Sequence, residues 1–326
     1  MRRFLVAALI IAGAGIASRA CSDSLPGAPP AARPDTVAVR LIDAGLAVPS
    51  GTGRGEVVEP AGLAVDAFGR LYVSDASLHR MQRFERDGRP SAEAGVLGSD
   101  PEQMRRPSSV AVLGSLGVAV LDVENRRALT FDLFGRLIGT LIDLTAGDLE
   151  RELGRIDPIA LAADRGGAVY IADREQDRIL AFDFSGRFLR TVGGFGPKPG
   201  SFRGLAGVAS ARKGELVVVE RTNARVQRLE ASGRVLAAWS LPSKPGSGVL
   251  AVAVDDSNRV AVTDESAGRL WLFAADGTPL ATRERLARPR AVVFGPDGVL
   301  LVAEAAPGCV RRLRIERASP APPAER

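Results

Sequence analysis

The chain has 326 residues, 46% of them hydrophobic and 25% charged, which excludes a disordered polyampholyte and allows one large all-β domain as readily as two average ones. Lys and Arg number 43 against 38 Asp and Glu; without residues 1–20, which hold Arg2, Arg3, Arg19 and no acid, 40 bases face 38 acids, a net +2. With lysine only at Lys198, Lys213 and Lys244 and 5% aromatics, no nucleic-acid partner is expected.

Met1-Arg2-Arg3 is a basic n-region, and Phe4 to Ile16 is an apolar run too short to span a bilayer comfortably. Ser18-Arg19-Ala20 supplies small residues for cleavage, and Cys21 follows. Residues 1–20 are therefore read as an export signal. Cys21 resembles the cysteine of the bacterial lipobox, which implies lipidation there and a membrane anchor through Cys21 alone. Secretion without a lipid, or an uncleaved anchor, are the other readings of the same segment. A Cys21–Cys309 disulfide requires that Cys21 stay free. Residues 21–35 are rich in Pro and Ala and read as a tether. The place of such a protein is the bacterial periplasm or cell envelope.

Thr36 to Leu46 reads as one strand with no partner nearby in sequence. Then a unit recurs six times. An acidic residue closes an apolar run at Asp75, Asp122, Asp173, Glu220, Asp264 and Glu304. Five residues on stand Arg80, Arg127, Arg178, Arg225, Arg269 and, as the exception, Cys309. Four further on stand Phe84, Phe131, Phe182, Leu229, Phe273 and Leu313. Constant spacing inside the unit and variable spacing between units mark a repeat architecture.

Each unit divides into four short runs. In the first they are 61–66, 70–75, 79–85 and 89–97, here called strands a to d. Turn residues such as Ala67-Phe68-Gly69 separate a from b, and X-Gly pairs such as Asp87-Gly88 separate c from d. Runs such as Ala168 to Ala172 are apolar at consecutive positions, so they expect burial on both faces. Between blades two and three, Leu149 to Leu153 has helical spacing, with Asp148 as the expected cap.

Residues 60–88 and 158–186 resemble the NHL repeat: Pro-x-Gly-Leu-Ala-Val-Asp, then Leu-Tyr-Val-Ser-Asp, then Arg and Phe at fixed steps. The resemblance implies a six-bladed β-propeller of four-stranded antiparallel blades over 36–317. The sixth unit lacks a strand d before the tail at 318–326, which reads as disordered, so 36–46 is expected to fill that place and close the ring.

Because the Asp-x4-Arg pair repeats, Asp75/Arg80, Asp122/Arg127, Asp173/Arg178, Glu220/Arg225 and Asp264/Arg269 are read as structural: the acid caps turn amides and the arginine pairs with it. His79, the only histidine, reads as a solvent-exposed turn residue. One histidine cannot build the three-His zinc site of related amidating lyases. The resemblance places the ligand mouth at the d–a and b–c loops. The candidate residues there are Glu59, Arg106, Asp157, Arg174, Glu175, Arg288 and Arg290. With arginines among few carboxylates, the expectation is a binding or scaffold module for a protein or polar ligand, with no catalytic residue, metal or cofactor, acting as a monomer. The alternative is a lactonase or gluconolactonase-like hydrolase with a divalent cation in the channel.

Overall fold

The computed structural model describes residues 39–317. The expected export signal, the tether with Cys21 and the tail lie outside the described residues. Six four-stranded antiparallel sheets form the blades of a propeller. Blade 1 consists of Pro60–Val65, Leu71–Asp75, Arg80–Phe84 and Pro90–Ala94, close to the four runs read from the sequence. Blades 2 to 5 repeat this order, ending at Asp143, Gly193, Ser240 and Arg283. Blade 6 takes Pro289–Phe294, Val299–Glu304 and Cys309–Arg317 from the end of the chain and Val39–Val48 from its start. The closing strand thus sits two to three residues later than expected, and 36–38 fall outside the described residues. It pairs antiparallel with Cys309–Arg317, Val39 opposite Arg317 and Val48 opposite Val310.

Burial explains why these runs are strands. Every residue of the five-residue b strands Leu71–Asp75, Val118–Asp122, Val169–Asp173, Leu216–Glu220 and Val260–Asp264 is buried. Their alternate side chains enter different clusters: Tyr72 packs between blades 1 and 2, whereas Leu71 and Val73 pack between blades 6 and 1. One hydrophobic cluster fills each gap between neighbouring blades. A blade therefore has no core of its own, and each sheet depends on both neighbours.

The acidic anchors hold the connectors. Asp75 accepts the Val58 and Glu59 amides at 2.8 and 3.1 Å, and the Ser77 and Leu78 amides at 3.2 and 3.1 Å. Asp122, Asp173, Glu220, Asp264 and Glu304 accept the amides of Arg105, Asp157, Arg203, Gly246 and Ala287 in the same way. Each anchor, at the end of strand b, thereby fixes the chain shortly before strand a enters.

The arginines depart from the expectation in two blades. Arg127, Arg178 and Arg225 do pair with Asp122, Asp173 and Glu220. Arg80 instead pairs with Glu93, and Arg269 bonds to Ser243 and stacks on Trp271. Four amides already occupy Asp75, and the guanidinium has a second task that does not need the acid. Arg80 donates to the carbonyls of Gly53 and Glu56; Arg127, Arg178 and Arg225 donate to connector carbonyls at Gln103, Leu153 and Ser201. In blade 6, Arg311 supplies what Cys309 cannot. Its Nε donates to Glu304 at 2.7 Å and its Nη1 to Asp43 of the closing strand at 2.7 Å. Cys309 is buried beside Glu304, and burial, followed by that carboxylate, pushes its thiol up to about 11, which leaves it unreactive at neutral pH.

The expected helix exists as Gly147–Leu153, but it starts two residues early. Ala146 is the N-cap and makes no side-chain cap bond; Asp148 lies in the first turn, where its charge suits the helix dipole. Among the described residues no helix is long and apolar enough to cross a membrane.

Removing Arg311 leaves Glu304 buried with a lost charge partner and loosens the closing strand. Arg311→Ala is expected to cost about 2–4 kcal/mol, close to the cost of Arg178→Ala. Denaturant unfolding of the two variants checks this; an Arg311→Ala effect below about 0.5 kcal/mol rejects the substitution of roles.

Candidate functional site

The antiparallel order puts the d–a connectors and b–c turns on one face, here the top, and the a–b and c–d turns on the bottom. The six a strands line a central channel with a cavity of about 350 Å³. Its wall is built mostly of small and aliphatic residues such as Gly62, Ala160, Ala206 and Val252, with hydroxyls only from Ser108, Ser109 and Ser210.

At the top the channel opens into a mouth of about 250 Å³. Two rings of positions build it. The first consists of residues at the start of strand a, where five blades carry a register shift: Ala61, Ser108, Ile159, Ala206 and Arg290. Such bulges re-aim a side chain, here toward the axis. The second ring is the residue after each anchor: Ala76, Val123, Arg174 and Arg221.

Of the candidate residues, Arg106, Asp157, Arg174 and Arg290 line the mouth. Glu59 stands behind two of them. It accepts from Arg106 at 3.0 Å, from Ser77 at 2.6 Å, and from Arg290. Burial alone would raise its pKa, but the Ser77 bond and the charges of Arg290 and Arg106 outweigh it and hold the carboxyl below the usual glutamate range. Arg288 is tied to Glu265 at 2.7 Å and does not line the mouth. Glu175 is exposed in the b–c turn and does not line it either.

Two residues were missed at sequence level, and a third, His79, was read as more exposed than it is. Glu265 accepts the Val249 amide and pairs with both Arg288 and Arg290. Arg221 donates to the Gly248 carbonyl at 2.6 Å, and its buried Nε has no hydrogen-bond partner. Both follow an anchor directly, so the repeat register held the signal. His79 is half-buried, not a bare surface residue. Its Nδ1 accepts the Arg106 amide at 3.1 Å, which helps fix Arg106 at a positive φ.

The mouth is electrostatically lopsided. Over blades 5, 6, 1 and 2 the charges form a continuous alternating chain, Arg288–Glu265–Arg290–Glu59–Arg106–Glu124. Over blades 3 and 4, Arg174 pairs with Asp157, and Arg221 has no carboxylate partner among the described residues. Unspent positive charge therefore faces the opening on that side. Among the described residues no group of three or more His, Cys, Asp or Glu could hold a metal ion.

No family model matches the chain. Over 146 residues, 44% of the chain, it is 25% identical to the protein brain tumor of Drosophila melanogaster, and it spans 13% of that protein. Among solved structures, a gluconolactonase from Xanthomonas campestris superposes with a TM-score of 0.62 at 16% identity, covering 89% of this chain and 98% of that one. A calcium-binding regucalcin from Agrobacterium tumefaciens gives 0.59 at 15% identity, covering 84% and 95%. A catalytically inactive virginiamycin B lyase from Staphylococcus aureus, solved with quinupristin, gives 0.58 at 12%, covering 85% and 99%. At these identities the likeness is one of fold.

Glu59 lends stability that depends on its charge. Its depressed pKa means that this stability is present above the unfolded-state pKa and is lost as pH falls through the folded one. The wild type should therefore exceed Glu59→Gln in denaturant midpoint at pH 7. The gap should close on acidification below the ordinary glutamate range. A gap that is constant with pH refutes the ionic role.

Proposed function

We propose that this chain is an exported, lipid-anchored propeller of the NHL-repeat kind that binds a protein or polar ligand carrying negative charge at the top-face mouth. The observation that carries this reading is Arg221, a guanidinium with no carboxylate partner among the described residues, standing beside the Arg174–Asp157 ion pair at the opening of the channel. Loops displayed on a rigid scaffold are the usual place for recognition. An arginine whose buried Nε lacks an acceptor gains most from an anionic group that supplies one.

The alternative is a lactonase-like hydrolase with a channel cation, and it draws on the fold alone. A divalent cation needs convergent oxygens. Here Glu59 and Glu265, near the axis, are both engaged by Arg290, and the wall below offers serine hydroxyls and backbone. That balance favours binding.

Capture from an envelope extract tests the site. The wild type should retain partners that Arg174→Gln/Arg221→Gln loses, with circular dichroism confirming that the variant is folded despite the lost Asp157 pair and Gly248 carbonyl bond. Identical partner sets reject the mouth.

Thermal melts separate the two classes. Millimolar Ca²⁺ or Mn²⁺ should leave the midpoint unchanged; a rise of several degrees would favour the hydrolase.

A further inference from the structure

The bottom face is divided into unlike halves. Phe68, Leu116, Phe134 and Phe184 stand at hairpin tips of blades 1 to 3, and they are 68%, 56%, 63% and 64% exposed. Single exposed apolar side chains are ordinary. These four lie on one face, and the tips that carry them are linked. Tyr72 donates to Asp66 in the Phe68 turn and contacts the Leu133 carbonyl beside Phe134. Leu116 and Phe184 both border Gly167, whose Cβ would meet them at 3.5 and 3.1 Å. The matching tips of blades 4 and 5 are Arg212-Lys213, Ala231-Ser232, Asp256-Ser257 and Ala275-Asp276. An Arg165–Asp256 pair at 2.9 Å reaches from one half to the other.

The aromatics keep cationic company. Arg70 lies 4.7 Å over Phe68, and Arg83 and Arg136 lie 5.8 and 5.7 Å from Phe134. Arg136 and Arg187 are more than three-quarters exposed. On the same face, between blades 6 and 1, a cavity of about 360 Å³ has apolar walls of Val65, Leu71, Phe84 and Leu301 and Arg312 among its lining.

The chain itself indicates what this face meets. Val39 lies opposite Arg317 at the bottom end of blade 6, packed toward blade 5. Residues 1–38 therefore join the propeller on this face. The 17 residues between Cys21 and Val39 span about 60 Å at most. A lipid at Cys21 would keep this face the nearer one to a bilayer.

We propose that the aromatic half of the bottom face docks on a phospholipid bilayer, with Phe68, Leu116, Phe134 and Phe184 at the boundary of headgroups and acyl chains. Exposed arginines such as Arg136 and Arg187 then lie at the level of the phosphates. The tips lie in two linked pairs, Phe68 with Phe134 and Leu116 with Phe184, and turns such as those of Asp132 and Asp183 are closed by their own charged, hydrogen-bonded residues. A fluid headgroup layer admits each pair separately, whereas a rigid partner would need a socket for each. The ligand mouth is left facing away from the membrane. The docking proposal rests on the lipid anchor of the proposed function; ligand binding at the mouth uses the opposite face, so binding and docking can each fail alone.

Tryptophan placed in the full chain reads the orientation. Trp239 and Trp271 are buried and give a constant background. Phe184→Trp and Ser257→Trp put a reporter on the aromatic and the polar half, each at an exposed turn position. With vesicles of phosphatidylethanolamine and phosphatidylglycerol, emission from position 184 should shift to the blue and be quenched by brominated acyl chains. Emission from position 257 should not change. No shift at 184 while the protein sediments with the vesicles means that the anchor alone holds it, and this overturns the proposal. Equal responses at both positions overturn it as well. A shift at 184 in a vesicle-free envelope extract but not on vesicles assigns the patch to a protein partner, with the same consequence.

Discussion

The propeller depends on one contact made six times: a buried carboxylate at the end of strand b accepting amides of the chain that leads into strand a. All six anchors are buried, with relative exposures of 0 or 1%. Such a carboxylate is costly to desolvate unless its lone pairs are filled, and connector amides fill them. In blades 1 to 4 the connector in turn has carbonyls bound by the repeat arginine. Each strand a thus enters the channel wall at a set height and angle. The hydrophobic clusters between blades stabilise the ring, but they are nondirectional and would tolerate sliding. The polar clamp fixes where each blade stops.

The same contact explains which parts were legible in sequence. The anchors, the five arginines, the six blades and the closing strand follow from spacing, because a side chain that must reach a particular amide leaves little freedom in position. Which atoms the arginine reaches does not follow. Arg80 and Arg178 hold the same place in the repeat, yet only Arg178 pairs with its acid, since Asp75 is already filled by four amides. Arg311 was hidden for a related reason. It sits seven residues after its anchor, two beyond the usual arginine, and so points to the same side of strand c. An alternating strand allows either position to serve, and Gln227 uses the same one to reach Glu220.

The mouth was half legible. Residues just before strand a were expected to ring it, and Arg106, Asp157 and Arg290 do line it. The residue after each anchor was recognised at Arg174 but not as a class, so Arg221 and Glu265 escaped. Their charges are unremarkable in the linear chain. They matter because the anchor directly before each one fixes its place, Arg221 at the mouth and Glu265 behind it against Arg288 and Arg290, and that follows from three-dimensional register.

Function in a repeat protein is written in the positions that the repeat leaves free. Anchor, arginine and core aromatic are spent on the ring and differ little between blades. The position after the anchor runs Ala76, Val123, Arg174, Arg221, Glu265 and Ala305, and the bottom tips run from Phe68 to Ser257. Neither series has a common structural task, since the turn backbone is already held by the anchor above and by aspartates such as Asp66, Asp132 and Asp183 below. Variation there costs the fold little. Chemistry that is nevertheless sorted, cations toward blades 3 and 4 on one face and aromatics toward blades 1 to 3 on the other, is difficult to assign to folding. Selection for what each face touches accounts for it, and a ring whose two faces are built from separate sets of turns lets them be selected independently.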